Sequence, residues 1–252
     1  MILAIDIGNT SIHMGLFHHA RLMRTRRIRT DPSKTPHELV RQVKRLGLPW
    51  GKIERMILCS VVPRMSTRLI KALRLLTTSP IRVVGRDIRV PLINRYRYPK
   101  QVGQDRLVGA YAAWRQFKRD CIVADFGTAI TIDVVTKRGE YLGGVIVPGL
   151  KISLEALAMN TALLPKVTLR EPPELLGRDT ASSIRSGVLH GYAALCDGVV
   201  AQLKARYAPQ AAVVATGGAS PLVLKHTRTI RSVRPFLVLE GLYALASLPN
   251  QA

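Results

Sequence analysis

Negative charge is scarce in this chain. Sixteen Asp and Glu stand against thirty-eight Lys and Arg, a formal net charge of +22 over 252 residues. Such a field attracts anions of every kind: nucleotides, acidic metabolites, nucleic acid and anionic lipid. The basic residues spread over 21–45, 64–119 and 228–234, as on a generally basic surface and not in one groove. Cysteine is also rare, with three copies in all. Cys59, Cys121 and Cys196 are odd in number, far apart and set in apolar runs. They read as reduced core residues of a cytoplasmic protein, which excludes a disulfide frame and a zinc site. The six histidines include the pair His18-His19 but offer no spacing that suits a transition metal. Aromatic residues make up only 5%. An RNA-recognition aromatic pattern is therefore missing, as are a helix-turn-helix and a zinc finger. No apolar run approaches the roughly 18 residues of a membrane helix, so no membrane association is expected. The start of the chain does not read as a signal peptide, because an acidic residue stands at position 6 and no small-residue cleavage site follows a long apolar region.

Hydrophobic residues are plentiful, at 47%, enough for one large domain or two smaller ones. The chain also writes one sentence twice. ILAIDIGNTSI begins at Ile2 and IVADFGTAITI at Ile122; with Asp6 aligned on Asp125, Gly8 falls on Gly127. Each copy reads as strand, tight turn and second strand. In the first half a third strand with a basic outer face follows at 21–30, then a helix opened by 33–36 and running to about Leu46. A buried strand at Ile53–Val62, a helix from Pro63 and a short strand at Ile81–Val84 come next. The stretch VPLINRYRYPKQVGQDR reads as irregular and leads to a helix from about Asp105 to Phe117. In the second half a hairpin at KRG gives a third strand, Tyr141–Val147. A long helix over Thr180–Tyr207 has Ile184, Val188, Leu195, Val199 and Leu203 near one face. A last buried strand at 211–215 precedes TGG, and FLVLEGLYALASL closes the chain as a helix. The expectation is two related α/β domains, each giving one strand–Asp–x–Gly–turn element to a shared cleft.

Those turns have a chemistry. Glycine allows a tight turn that exposes amide N–H groups to an anion. Asn9, Thr10 and Ser11 add short donors, as do Thr128 and Thr131 in the second copy. Asp6 at a strand end can hold Mg²⁺ against a polyphosphate. Thr216-Gly217-Gly218 is a third place where backbone can approach a ligand. A single such turn is equally well an ordinary hairpin; two copies, one per half, point to a phosphate clamp.

The order DIGNTS…GQDR…DFGTAIT…GGVIVPG…TASSIRSG…TGG resembles the type III pantothenate kinases, over Met1 to about Leu245. The resemblance implies the acetate and sugar kinase, Hsc70 and actin superfamily, with two ribonuclease-H-like domains at 1–119 and 120–252. It implies ATP-dependent phosphorylation of pantothenate to 4'-phosphopantothenate, the first step of coenzyme A biosynthesis. It also implies a homodimer, Mg²⁺ with ATP, and a monovalent cation, K⁺ or NH₄⁺. Residue by residue, it makes Asp105 the general base that takes the proton of the acceptor hydroxyl. Tyr96, Gly103, Gln104, Asp105 and Arg106 would bind pantothenate, with Thr180 reaching in from the neighbouring subunit. ATP would be held by Asp6, Ile7, Gly8, Asn9, Thr10, Ser11, Ile12 and His13, and by Thr128, Gly217 and Gly218. Asp6 would bind Mg²⁺ and Asp125 the monovalent cation. Asp133 either helps that cation or faces solvent, and Tyr98 is structural. Ser11 stands where many relatives have Asn, and Asp179 where many have Asn. Two rivals follow. One is a transcription accessory factor suited by +22, although nucleic acid is expected to bind non-specifically at most. The other is a sugar or acetate kinase of the same superfamily, since fold does not fix substrate.

Overall fold

The computed structural model describes residues 1–248. Positions 249–252, to which the expected second domain extends, lie outside the described residues.

Alternating apolar residues start the chain as a meander of β1 (Ile2–Ile7), β2 (Ser11–His18) and β3 (Arg21–Arg29). The β2–β3 turn holds His19 and Ala20 at positive φ, 44° and 63°, and the Ala20 N–H donates to the Tyr243 hydroxyl at 2.9 Å. Helix α1 (Pro36–Lys44) starts at a reciprocal cap between Thr35 and Glu38, with Pro36 in the first turn. Then come β4 (Arg55–Ser60), α2 (Pro63–Arg74) and β5 (Ile81–Val83). The sheet order is β3-β2-β1-β4-β5, antiparallel from β1 through β3 and parallel from β1 through β5.

After β6 (Ile93–Asn94) and α3 (Gln104–Phe117), the same plan recurs. Strands β7 (Cys121–Phe126), β8 (Ala129–Val135) and β9 (Glu140–Pro148) form the second meander. Helices α4 (Leu150–Asn160) and α5 (Thr180–Tyr207) precede β10 (Ala212–Thr216). The chain continues with α6 (Ser220–Val223), β11 (Ser232–Val233) and α7 (Leu237–Ala246). The order here is β11-β10-β7-β8-β9-β6, with β10 and β11 parallel to β7. Each sheet thus carries the antiparallel-three, parallel-two order of a ribonuclease-H-like core, and the fold class read from the resemblance holds.

The chain divides into two compact units. One comprises Met1–Leu92, Tyr98–Ala112 and the chain from Leu237; the other comprises Ile93–Arg97 and Ala113–Phe236. This departs from a single cut at 119/120 for two physical reasons. The stretch read as irregular contains β6, which pairs in parallel with β9 through Ile93↔Glu140 and Asn94↔Tyr141. Helix α7 packs on β1, β4 and β2, where Phe17 stacks on Tyr243 at 4.7 Å. Strands of two residues, β6 and β11, are too short for any periodicity to announce them.

Strand alternation assigns the two faces of the first sheet. Leu3, Ile5, Ile7, Ile12, Met14, Leu16, Met56 and Leu58 pack with Leu39, Val43, Met65, Leu69 and Leu73 of α1 and α2. Asp6 and Cys59 therefore point to the opposite face. In the second unit the face of α5 differs from expectation. Leu189, Ala193, Cys196 and Val200 are buried, while Leu195 is 36% exposed. The small residues Ser186, Ala193 and Cys196 lie inside because they let the helix approach closely; the larger Ile184, Val188, Val199 and Leu203 only flank that line and are partly buried. No described helix is long and apolar enough to cross a membrane.

Candidate active site

In the first unit, the register places three side chains at the carboxyl end of β1, where ligands bind in sheets of this kind. Asp6 lies opposite His13 on β2 and opposite Cys59 on β4. The Cys59 thiol donates to Asp6 Oδ1 at 3.2 Å, and His13 Nε2 lies 3.1 Å from Ser11 Oγ. The turn between β1 and β2 is closed by the Gly8 N–H donating to Ser11 O at 3.0 Å. It is also held from outside: Thr30 Oγ1 donates to Gly8 O at 2.7 Å, and Thr30 N–H donates to Thr10 O at 3.0 Å. Asn9 and Thr10 are exposed at its tip.

Asp105 enters from the first turn of α3. Its carboxylate folds back over Gly103, so a Cβ at Gly103 would collide with Asp105 Oδ1. That is why a glycine precedes this helix. Asp105 Oδ1 also accepts the Arg106 N–H at 2.8 Å, and an acidic side chain in a first helical turn is favoured by the helix dipole. Asp105 stands inside the helix start and not at the cap position itself. Gln104 lies over Gly85, where a Cβ would come 2.9 Å from Gln104 Cδ and where a φ of +85° favours glycine.

The electrostatics of this half are unusual for so basic a chain. Burial pushes the Asp6 carboxyl up to about 7; the Cys59 hydrogen bond lowers it and the nearby Asp105 charge raises it further. The Cys59 thiol is raised well above its ordinary value by burial and by the charges of Asp6 and Asp105. His13 is lowered to about 4, first by burial and then by Arg27, so it is a neutral imidazole at pH 7. The buried Asp6 carboxyl thus has a second carboxylate, Asp105, within electrostatic reach, a setting in which a bound divalent cation offsets the negative charge. Among the described residues no cluster of three or more His, Cys, Asp or Glu could hold a metal by itself. That donor set suits Mg²⁺, which keeps waters and phosphate oxygens and takes one or two carboxylates from a protein.

The second unit repeats the arrangement. Asp125 ends β7, opposite Thr131 on β8 and Thr216 on β10, as Asp6 lies opposite His13 and Cys59. Gly217, at φ +88°, turns directly over Asp125, and a Cβ there would collide with Asp125 Oδ1 and the backbone of Phe126. Gly149 abuts the Gly127-Thr128 turn just as closely, and its N–H donates to Thr128 O at 3.1 Å. Thr128 and Gly218 are exposed. Tyr96 lies against Gly143, with its ring 6.4 Å from that of Tyr141. Asp133 does not face solvent: it is 2% exposed and accepts the Tyr141 hydroxyl at 2.7 Å. Tyr98 is 56% exposed. Thr180 is exposed in the first turn of α5, just after Asp179, which caps the helix through the Ser182 N–H at 2.9 Å.

The first unit therefore gathers Asp6, Gly8, Ser11, His13, Gly103 and Asp105. The second gathers Asp125, Thr128 and Gly217, and sets Tyr96 on β9 and Thr180 at the start of α5. The side chains of Ile7 and Ile12 are fully buried in the core, which leaves only their backbone for a ligand. Sequence reasoning treated Cys59 as core alone. Its partnership with Asp6 follows from the parallel β1–β4 register, which no local pattern encodes.

The type III pantothenate kinase family profile matches residues 2–202. A type III pantothenate kinase of Geotalea uraniireducens is 41% identical over 249 residues, covering 97% of each chain. A Campylobacter jejuni protein described as a Baf family transcriptional activator superposes with a TM-score of 0.60 at 18% identity, covering 96% of both chains. A Sinorhizobium meliloti protein described as a 2-dehydro-3-deoxygalactonokinase gives 0.57 at 13% identity, covering 98% of both. These two likenesses concern the fold alone. The family match and the near full-length identity settle the kinship: the chain belongs to the type III pantothenate kinase family.

Proposed function

We infer that the protein transfers the γ-phosphate of ATP to the primary hydroxyl of pantothenate, giving 4'-phosphopantothenate, the first step of coenzyme A biosynthesis, in the cytoplasm. The observation that supports this most directly is the Asp6–Asp105 pair. One carboxylate ends a strand beside a phosphate-sized turn, and the other stands at a helix start within its electrostatic reach. In this reading Asp105 orients the hydroxyl and accepts its proton, and Arg106 offers a fork of donors to the pantothenate carboxylate or amide. Gly103, Gln104 and Tyr96 complete the acceptor contacts. The Asp6–His13 segment, Thr128, Gly217 and Gly218 hold the nucleotide. Asp6 holds Mg²⁺, which when bound neutralises phosphate charge, and Asp125 holds K⁺ or NH₄⁺. Phosphoryl transfer needs little more than such positioning and charge neutralisation. An ADP-release assay across pantothenate, sugars and acetate tests the reading. Turnover is expected with pantothenate alone, dependent on Mg²⁺ and raised by K⁺ or NH₄⁺; turnover of acetate or a sugar in its place overturns it.

We further propose a homodimer whose active site is completed by Thr180 of the second copy. Support comes from the outer face of α5, where Gly187, Gly191 and Gly198 fall at helical spacing with open space beyond each. Nearby in sequence, Leu163, Leu175 and Leu176 are 92%, 70% and 75% exposed. A flat, self-complementary face of this kind suits a two-fold interface. Asp105→Asn and Thr180→Arg are each expected to be inactive, yet to regain activity when mixed and allowed to exchange subunits. One site of the mixed dimer then has both residues intact. Mixed dimers that form by mass spectrometry and stay dead show that Thr180 does not act across an interface.

A further inference from the structure

The charge of the first unit is not evenly placed. Helices α1 and α2 pack side by side on one face of the first sheet. Their exposed positions hold Arg41 and Lys44 on α1, with Arg45 just beyond, and Arg64, Lys71 and Arg74 on α2. Residues 64, 68, 71 and 74 recur at helical spacing, a stripe about 15 Å long at 1.5 Å per residue. Neighbouring helix axes lie about 8–10 Å apart, so two rows of cations run along this layer. Lys44, Arg64, Lys71 and Arg74 make no hydrogen bond or ion pair among the described residues. The only acidic residue on either helix, Glu38, is committed to its cap, accepting Thr35 N–H and Oγ1 at 2.8 Å each. A fold needs neither these four unpaired cations, with Arg41 and Arg45 beside them, nor the cost of their mutual repulsion.

We propose that the outer face of α1 and α2 binds the phosphate backbone of a nucleic-acid duplex, independently of base sequence. A duplex presents about one negative charge per 1.7 Å of axis, and its backbones flank grooves roughly 6 and 12 Å wide. Two cation rows at the helix spacing can follow such a pair of backbones. Neither helix carries Phe, Tyr or Trp, so the layer lacks the stacking platforms that single-strand binders use. Exposed positions within the two helices carry no large apolar side chain, and Leu75, just past α2 and 60% exposed, is a single apolar group where a membrane-surface helix inserts a whole apolar face. The ligand chemistry left is a regular array of phosphates on a rigid support.

The test compares two variants of equal net charge. One carries Arg41→Gln, Lys44→Gln, Arg64→Gln and Lys71→Gln; the other carries Lys137→Gln, Arg138→Gln, Lys166→Gln and Arg206→Gln on the second unit. Binding of a labelled 20-base-pair DNA duplex of random sequence is read by anisotropy from 50 to 200 mM KCl. The helix-layer variant is expected to bind at least tenfold more weakly and to lose about 3.6 from the slope of log K against log salt, at about 0.9 per contact. The second variant is expected to stay within threefold of wild type. Thermal melting and ADP release, expected within twofold of wild type, show both are folded; if the quadruple variant melts early, Arg41→Gln with Lys71→Gln alone replaces it. Equal losses in both variants, tighter binding to the single strand, or binding to anionic vesicles without binding to duplex each overturn the proposal.

Discussion

Asp105→Asn is expected to lower kcat by about 10²–10⁴, the usual worth of a positioned general base, while leaving ATP affinity within about threefold. Asparagine is nearly the same shape, so it keeps the fit over Gly103 and the contact to the Arg106 N–H. What it loses is the proton acceptor. It also removes a charge that raises the Asp6 carboxyl, so Asp6 ionises more readily and nucleotide binding does not suffer. Single-turnover kinetics with pantothenate, beside equilibrium titration of a fluorescent ATP analogue, separate the two effects. Activity within a few-fold of wild type removes Asp105 from the role of base. An equal loss in ATP binding makes it part of the nucleotide site instead.

The sequence made the repeated half legible because each aspartate ends an apolar strand before a glycine turn, and both turns form where they were read. The order of motifs carried the family, and through it the paired strand orders. Other features depend on contacts between distant segments. Nothing local says that residues 93–94 pair with β9, or that the chain from Leu237 returns to the first sheet, since both depend on tertiary pairing. Of the aliphatic residues read near one face of α5, Val188, Val199 and Leu203 pack partly buried against the core, while Leu195 is 36% exposed. The most buried line combines Leu189 and Val200 with Ser186, Ala193 and Cys196, whose small size permits close approach. Asp133 was open between cation and solvent, and its buried bond to Tyr141 is set by the β8–β9 register. Cys59 became part of the site through its register with Asp6. Composition could not separate the two readings of the positive charge either, because a net value has no location.

Asp6→Asn is expected to raise the Mg²⁺ concentration needed for half-maximal activity by tenfold or more, since a neutral amide is a poor ligand for a hard cation. The pH dependence makes the assignment sharper. Because burial holds the Asp6 carboxyl at about 7 in the folded protein against 3.8 for an ordinary aspartate, the folded state holds more protons than the unfolded one between those pH values. Without Mg²⁺, this group's contribution to stability therefore falls as pH rises through that window, by up to about 4 kcal/mol at 1.36 kcal/mol per unit. The Asn variant lacks this slope and should be the more stable protein at pH 8 when metal is absent. Mg²⁺ binding requires the ionised carboxylate, so in wild type the half-saturating Mg²⁺ should climb about tenfold per unit as pH drops below 7. His13, held near 4 by burial and Arg27, stays neutral over this range and adds no second step. Denaturation midpoints and Mg²⁺ titrations from pH 5.5 to 8.5 on both proteins read the two slopes. A wild-type Mg²⁺ requirement that is flat across pH 7, or one that Asp6→Asn leaves unchanged, places the metal on other groups.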